Sequence, residues 1–163
     1  MNEDISYRYD VRASDGDDIR RLVESSGFFS SQETGIAMEL IEERISQGIQ
    51  SGYHFLFAER AGNTVGYTCF GPVPGTLHSY DLYWIVVHYD FRQRGIGKLL
   101  LSKTEAIIRK GNGQRIYIDT SSRDQYGATR MFYEACGYRQ EAVVKDFYGP
   151  GDSKVIYVKT FLP

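Results

Sequence analysis

Apolar and polar positions fall into blocks along the chain, and the period changes from block to block. Residues 6–13, SYRYDVRA, alternate loosely and predict a first strand. SDGDDIRRLVESSGFF follows, opening on capping residues and placing Ile19, Leu22 and Val23 on one face, which predicts a helix. SSQETGIAMELIEERISQG carries Ile36, Leu40, Ile41 and Ile45 at helical spacing and stops at Gly48, a second helix. YHFLFAER, AGNT and VGYTCFG read as strand, tight turn and strand. SYDLYWIVVH is apolar at nearly every position after Asp81, the pattern of a strand covered on both faces. KLLLSKTEAIIRKGNG predicts a helix, QRIYIDTS a strand and RDQYGATRMFYEACG another helix. YRQEAVVKDF and KVIYVKTF then form a closing hairpin around YGPGDS.

The predicted order is β-α-α-β-β-β-α-β-α-β-β. Its alternation in the second half implies an α/β fold with a mixed sheet and helices on both faces. The 163 residues suit a single domain spanning 1–163, and no linker or repeat divides them. A composition of 42% apolar and 25% charged residues is ordinary for a globular chain. The formal net charge of −2 gives no electrostatic reason to expect nucleic acid or an anionic membrane as partner. The acidic N-terminal stretch lacks the apolar core of a secretory signal, and no apolar run is long enough to span a bilayer. Cys69 and Cys136 are isolated, so neither a disulfide framework nor a zinc set is indicated, and a cytoplasmic location is expected. His54, His78 and His88 lack metal-ligand spacing, so no metal is expected.

The chemistry concentrates in FRQRGIGKLLL, residues 91–101, where a glycine turn leads from a buried strand into a helix. The nucleotide-binding pattern GxxxxGK[ST] fails there, with Arg92 at its first glycine and Leu99 at its hydroxyl position. The dinucleotide pattern GxGxxG fails at Leu100. A third pattern, [Q/R]xxGxG, is met at every fixed position by Arg92, Gln93, Arg94, Gly95, Ile96 and Gly97. Glycines let the main chain approach an anion without interposed Cβ atoms, and the helix's first N–H groups then point at it. The helix dipole adds about 0.3–1 kcal/mol, and arginines add charge-assisted hydrogen bonds.

With VVHYDFRQRGIGKLL followed by IYIDTSSRDQYGATRMFYEACGY, the chain resembles the GNAT family of N-acetyltransferases along nearly its whole length. The resemblance implies a mostly antiparallel twisted sheet whose central strands splay apart to admit the pantetheine arm of acetyl-CoA. It implies that the turn (Arg92 to Gly97, with Lys98) holds the pyrophosphate. It also implies that the strand backbone at Ile85, Val86 and Val87 binds the pantetheine amides and polarises the thioester carbonyl. The chain departs from the family pattern at Tyr89, often proline, and at Tyr126, often an asparagine that helps hold the pantetheine arm. Tyr126 and Thr129 are the cofactor-side candidates on the last helix.

Acetyl transfer to an amine requires a neutral nucleophile and a proton for the departing thiolate. A lysine-like amine with pKa ~10.4 lies about 3.4 units above pH 7, worth roughly 4.6 kcal/mol, so a base is needed. Tyr133 matches the family tyrosine that faces the cofactor sulfur, and a phenol near pKa ~10 is protonated and able to donate at neutral pH. Asp81 is the acidic candidate for base; strand period two places it on one face with Tyr83, Ile85 and Val87. Its ordinary pKa, about 3.9, is low for that task, so it would need burial or a water relay. Glu105 and Glu134 read as solvated helix positions. Cys136 is a conceivable acyl carrier, but direct transfer is the chosen reading.

The expected function is therefore acetyl transfer from acetyl-CoA to a primary amine of a small molecule or short peptide, by a monomer or homodimer. SSGFFSSQETG and VKDFYGPGDSKV are the acceptor-side segments, with Asp146, Asp152, Phe28, Phe29, Phe147 and Tyr148 as possible walls. An ordinary polar turn explains YGPGDS at least as well. Three alternatives stand: a CoA-binding sensor or interaction module without turnover, a transferase of longer acyl groups, and a phosphotransferase. The last lacks a hydroxyl after Lys98 to hold magnesium.

Overall fold

The computed structural model describes residues 4–163. The predicted order of elements is present: β1 (Ile5–Arg8), α1 (Asp15–Ser25), α2 (Ser31–Gln47), β2 (His54–Arg60), β3 (Asn63–Pro72), β4 (Ser79–Val87), α3 (Ile96–Lys110), β5 (Arg115–Ser121), α4 (Gly127–Ala135), β6 (Arg139–Gly149) and β7 (Asp152–Thr160). The strands form one sheet in the order β1-β2-β3-β4-β5-β7-β6. Its recorded ladders are antiparallel except for β4–β5. Main-chain bonds from Val73 to Ser79 and from His88 to Val65 run β3 and β4 in opposite directions as well. Among the described residues no helix is long and apolar enough to cross a membrane.

The chain gathers into two compact units, one running to Gly71 and resuming over Trp84–Ala106, the other comprising Pro72–Tyr83 and Ile107–Pro163. In the first, the predicted face of α1 is the buried one, with Ile19, Leu22 and Val23 at most 1% exposed. These side chains meet Ala37, Met38 and Ile41 of α2, Phe55 and Phe57 of β2, Tyr67 and Cys69 of β3, and Val86 of β4. Each large apolar side chain so buried contributes about 1.5–3 kcal/mol. Of the stripe that its spacing suggested on α2, Ile41 is buried and Leu40 packs against this core, but the two ends are not covered. Thr34, Ala37, Met38 and Ile41 are buried, whereas Ile36 is 46% and Ile45 43% exposed. Apolar residues lie on adjoining stripes of α2, and the one with small Thr34 and Ala37 lets the helix come nearest the sheet.

α3 packs on the opposite face of β3. A Cβ at Gly66 would lie 3.0 Å from both Leu100 Cδ1 and the Val86 carbonyl oxygen, so only glycine admits the helix this closely. Thr68 and Thr104 join hydroxyls at 2.7 Å in the same interface, satisfying each other out of water. β1 ends five residues earlier than the alternation suggested, because the Arg8 side chain turns inward. Its guanidinium holds the buried Asp15 carboxylate at 2.7 Å and Glu59 at 2.6 Å, and bonds the Asp10 carbonyl, curling the chain toward α1.

In the second unit β5 pairs with β7 from Arg115↔Thr160 to Ser121↔Lys154. Ile116, Ile118, Val155 and Tyr157 are buried there, with Tyr133 of α4 packing on Tyr157 at a ring separation of 6.0 Å. The β4–β5 ladder covers Ser79↔Arg115, Tyr80↔Ile116 and Asp81↔Tyr117 and ends there. β4 is less covered than its composition suggested. Leu82 and Val86 are buried, but Tyr83 is 37% exposed, and Ile85 and Val87 are half-buried.

Candidate active site

The glycine turn is built by the end of β4. The His88 N–H donates to the Val65 carbonyl at 2.8 Å, and the His88 Nδ1 accepts from the Asp90 N–H, starting a single 3-10 turn over Tyr89–Phe91. Arg92 is extended, Gln93 is left-handed at φ 61°, and Gly95 is left-handed at φ 80°. A left-handed non-glycine costs on the order of 1–3 kcal/mol, so the chain spends stability on this shape. The Gly95 carbonyl accepts the N–H of Leu99 at 3.1 Å, the first bond of α3. The N–H groups of Ile96, Gly97 and Lys98 therefore have no acceptor within the helix, and they lie at its positive end. Ile96 is buried, anchoring the first turn, while Lys98 is exposed.

The two arginines are held close by aromatic rings. The Arg92 guanidinium carbon lies 5.6 Å from the Tyr89 ring centre, and that of Arg94 lies 5.3 Å from Phe91. Tyr89, which stands where the family often has proline, is thus a support for Arg92 that sequence reasoning missed. Spacing i, i+3 across a short turn was the available signal.

On the second unit, Asp81 is half-buried at the end of the β4–β5 ladder. Burial raises its carboxyl above the ordinary aspartate value of 3.8; the charge of Asp119 adds to this and Lys154 opposes it. Lys154 is itself bound to Asp119 at 3.0 Å. Tyr133 is 6% exposed, ringed by Phe132, Tyr138 and Tyr157. Burial pushes its phenol well above the usual value, with Cys136 adding to the shift. Tyr126 caps the start of α4, with the Arg123 guanidinium 5.6 Å from its ring, and Thr129 is half-buried one turn on.

Other candidates have structural employment. The Asp146 carboxylate accepts the Gly151 N–H at 3.0 Å, fixing the β6–β7 turn. Asp152 pairs with Arg123 at 3.1 Å and bonds the Ser121 hydroxyl. The polar-turn reading of YGPGDS therefore explains both carboxylates. Glu134 accepts from the Tyr157 hydroxyl at 2.9 Å. Glu105, expected to be solvated, is only 9% exposed, because α3 turns it toward the same interior as Thr104. Cys136 caps α4, and its carbonyl is held by Lys159 Nζ at 2.9 Å. Among the described residues no group of His, Cys, Asp or Glu could hold a metal ion. An open cavity of about 490 Å³ in the first unit, lined by Arg21, Arg60, Thr64, His88 and Phe91, contains none of the predicted site residues.

A family model for the acetyltransferase (GNAT) domain matches residues 51–140. The chain is 40% identical to a GNAT-family protein of Desulfovibrio desulfuricans, with a TM-score of 0.95 over 96% of this chain and 99% of that one. At 20% identity it shares the fold of an aminoglycoside 6'-N-acetyltransferase complexed with coenzyme A, at TM-score 0.76 over 98% of each chain. Also at 20% identity, it shares the fold of the ribosomal-protein-alanine N-acetyltransferase of Brucella melitensis, at TM-score 0.77 over 96% and 99%. No match is found among curated proteins. A strand-to-helix turn with every fixed glycine, a mixed sheet in this order and a family match over more than half the chain converge: the chain belongs to the GNAT family of acetyl-CoA-dependent acetyltransferases.

Proposed function

We propose that the protein is a single acetyltransferase domain that moves acetyl from acetyl-CoA directly to a primary amine of a small molecule or short peptide. The observation that carries this reading is the Gly95-capped turn, which leaves three helix N–H groups without helical acceptors beside two ring-supported arginines. Those of Ile96, Gly97 and Lys98 bind the pyrophosphate, and Arg92 and Arg94 add charge, with the backbone of Gln93 shaping the loop. The backbone of Ile85, Val86 and Val87 pairs with the pantetheine amides and polarises the thioester carbonyl. Tyr126 and Thr129, at the start of α4, contact the pantetheine arm.

Asp81 takes the amine's proton, directly or through water, and its raised pKa makes it a stronger base than an ordinary aspartate. The neutral amine attacks the acetyl carbon, the C–S bond breaks, and Tyr133 protonates the departing thiolate; the proton then lost from the acetylated nitrogen passes through water to restore the phenol. A buried phenol held well above its usual pKa stays protonated at neutral pH, which supports that role. Direct transfer is favoured over a Cys136 carrier because Cys136 closes the end of α4. Similar folds act on an aminoglycoside and on a ribosomal-protein alanine, which supports an amine as acceptor.

The test is release of free thiol from acetyl-CoA across a panel of primary amines. At least one amine should give turnover, and Tyr133→Phe should lower kcat about 10²-fold or more while leaving the affinity for acetyl-CoA within about twofold. Tight cofactor binding with no turnover on any amine would instead indicate a non-catalytic CoA-responsive module.

A further inference from the structure

Ile118 of β5 lies opposite Tyr157, the residue on which α4 packs through Tyr133. Strand period two therefore sends Tyr117 and Asp119 to the other face of β5. Across the parallel β4–β5 ladder, Asp81 is the register partner of Tyr117. Asp119 is then its diagonal neighbour, one strand over and two residues along, at about 8 Å between Cα atoms. On β7, Lys154 is the register partner of Ser121 and reaches diagonally across to the same carboxylate. Its Nζ lies 3.0 Å from Asp119 Oδ2 and 4.5 Å from the centre of the Phe147 ring. The ring face favours a cation and helps hold the ammonium where it is. A carboxylate with its own counter-ion thus stands beside the proposed base.

The remaining polar groups on this face are occupied, neutral or solvated. Asp152 is paired with Arg123 at 3.1 Å. The Tyr148 phenol is raised by burial, with Asp119, Asp152 and Tyr126 adding to this, so it stays protonated at neutral pH. Arg115, on the other diagonal from Asp81, is exposed, so solvent screens its charge. Asp119 and Lys154 are left as the pair that acts on Asp81, and they act in opposite senses. A like charge nearby disfavours the ionised carboxyl and an opposite charge favours it. Asp119 accordingly raises the Asp81 pKa and Lys154 lowers it, on top of the larger effect of burial.

We propose that Asp119 and Lys154 are positioning residues for Asp81, a carboxylate and an ammonium on one sheet face whose opposed charges set the pH at which the base works. The inference rests on Asp81 as the base of the proposed function. A carbon-13 NMR titration of the side-chain carboxyls in the full chain tests it, the Asp81 signal being the one missing from Asp81→Asn. Lys154→Met should move the Asp81 midpoint to higher pH, because Asp119 is then unopposed. Asp119→Asn should move it to lower pH, the double variant should fall between the two, and Lys154→Arg should keep the native midpoint. The acidic limb of kcat/KM should follow, measured by thiol release with acetyl-CoA and one primary amine of the panel, the same for every variant. On that limb Lys154→Met should lower kcat/KM about twofold or more and Asp119→Asn should raise it. A folding defect would lower activity at every pH and would not shift two variants in opposite directions. Midpoints that stay in place, or that move the same way in both variants, would overturn the inference and leave Asp81 standing as the base. Midpoints that move as stated while the acidic limb does not would overturn Asp81 as the base, and the inference with it.

Discussion

As the proposed base, Asp81 faces two opposing demands, since a base at neutral pH must be ionised while its surroundings disfavour the charge. Its carboxyl is half-buried and lies near Asp119, and both effects raise its pKa above 3.8; Lys154 offsets them in part. A carboxyl whose folded pKa lies above its unfolded value binds more protons in the native state across that window, so stability is lost as pH rises through it. At neutral pH the penalty is fully present. Asp81→Asn should therefore leave the melting temperature unchanged or raise it, while lowering kcat/KM about 10²-fold and removing the acidic limb of its pH profile. Loss of stability together with unchanged activity would show that Asp81 is structural. The glycine turn was legible residue by residue, because a left-handed Gly95 and a Cβ-free approach restrict which amino acids can stand there. The surroundings of Asp81 were not, because Asp119 and Lys154 reach it from other strands.

At the scale of elements, apolar period identified every helix and strand in order, but it did not choose among competing faces. α1 has one apolar stripe, and that stripe is buried. α2 has more than one, and the sheet accepts the one with the smaller side chains. Ile41→Ala should accordingly cost about 2–5 kcal/mol in a denaturant titration. Ile36→Ser should change stability by no more than about 0.5 kcal/mol. Equal losses at the two positions would mean that α2 sits rotated from the orientation described. The composition of β4 likewise overstated its covering. Strand residues with one face toward a bound molecule are as apolar as those between packed layers, so sequence does not separate the two cases. The premature end of β1 depends on Arg8 reaching Asp15 and Glu59, the latter a contact across 51 positions that no local period could show.

At the scale of the whole molecule, length, composition and the succession of elements were sufficient for the fold class, and the family match agrees with them. The acceptor was not legible, because the hairpin segment expected to frame it spends both its aspartates on structure. Asp146 holds the β6–β7 turn and Asp152 an arginine, leaving no charged address on that hairpin tip that the sequence could announce. The proposed function depends above all on the Gly95-capped turn as the seat of the cofactor's pyrophosphate. Calorimetric titration with acetyl-CoA, comparing the native protein with Gly97→Trp, tests it most directly. The native protein should show saturable binding in the micromolar range and the variant none, since its indole fills the space the pyrophosphate needs. Native protein that takes up no acetyl-CoA, or a variant that binds it as tightly as the native chain, would contradict it.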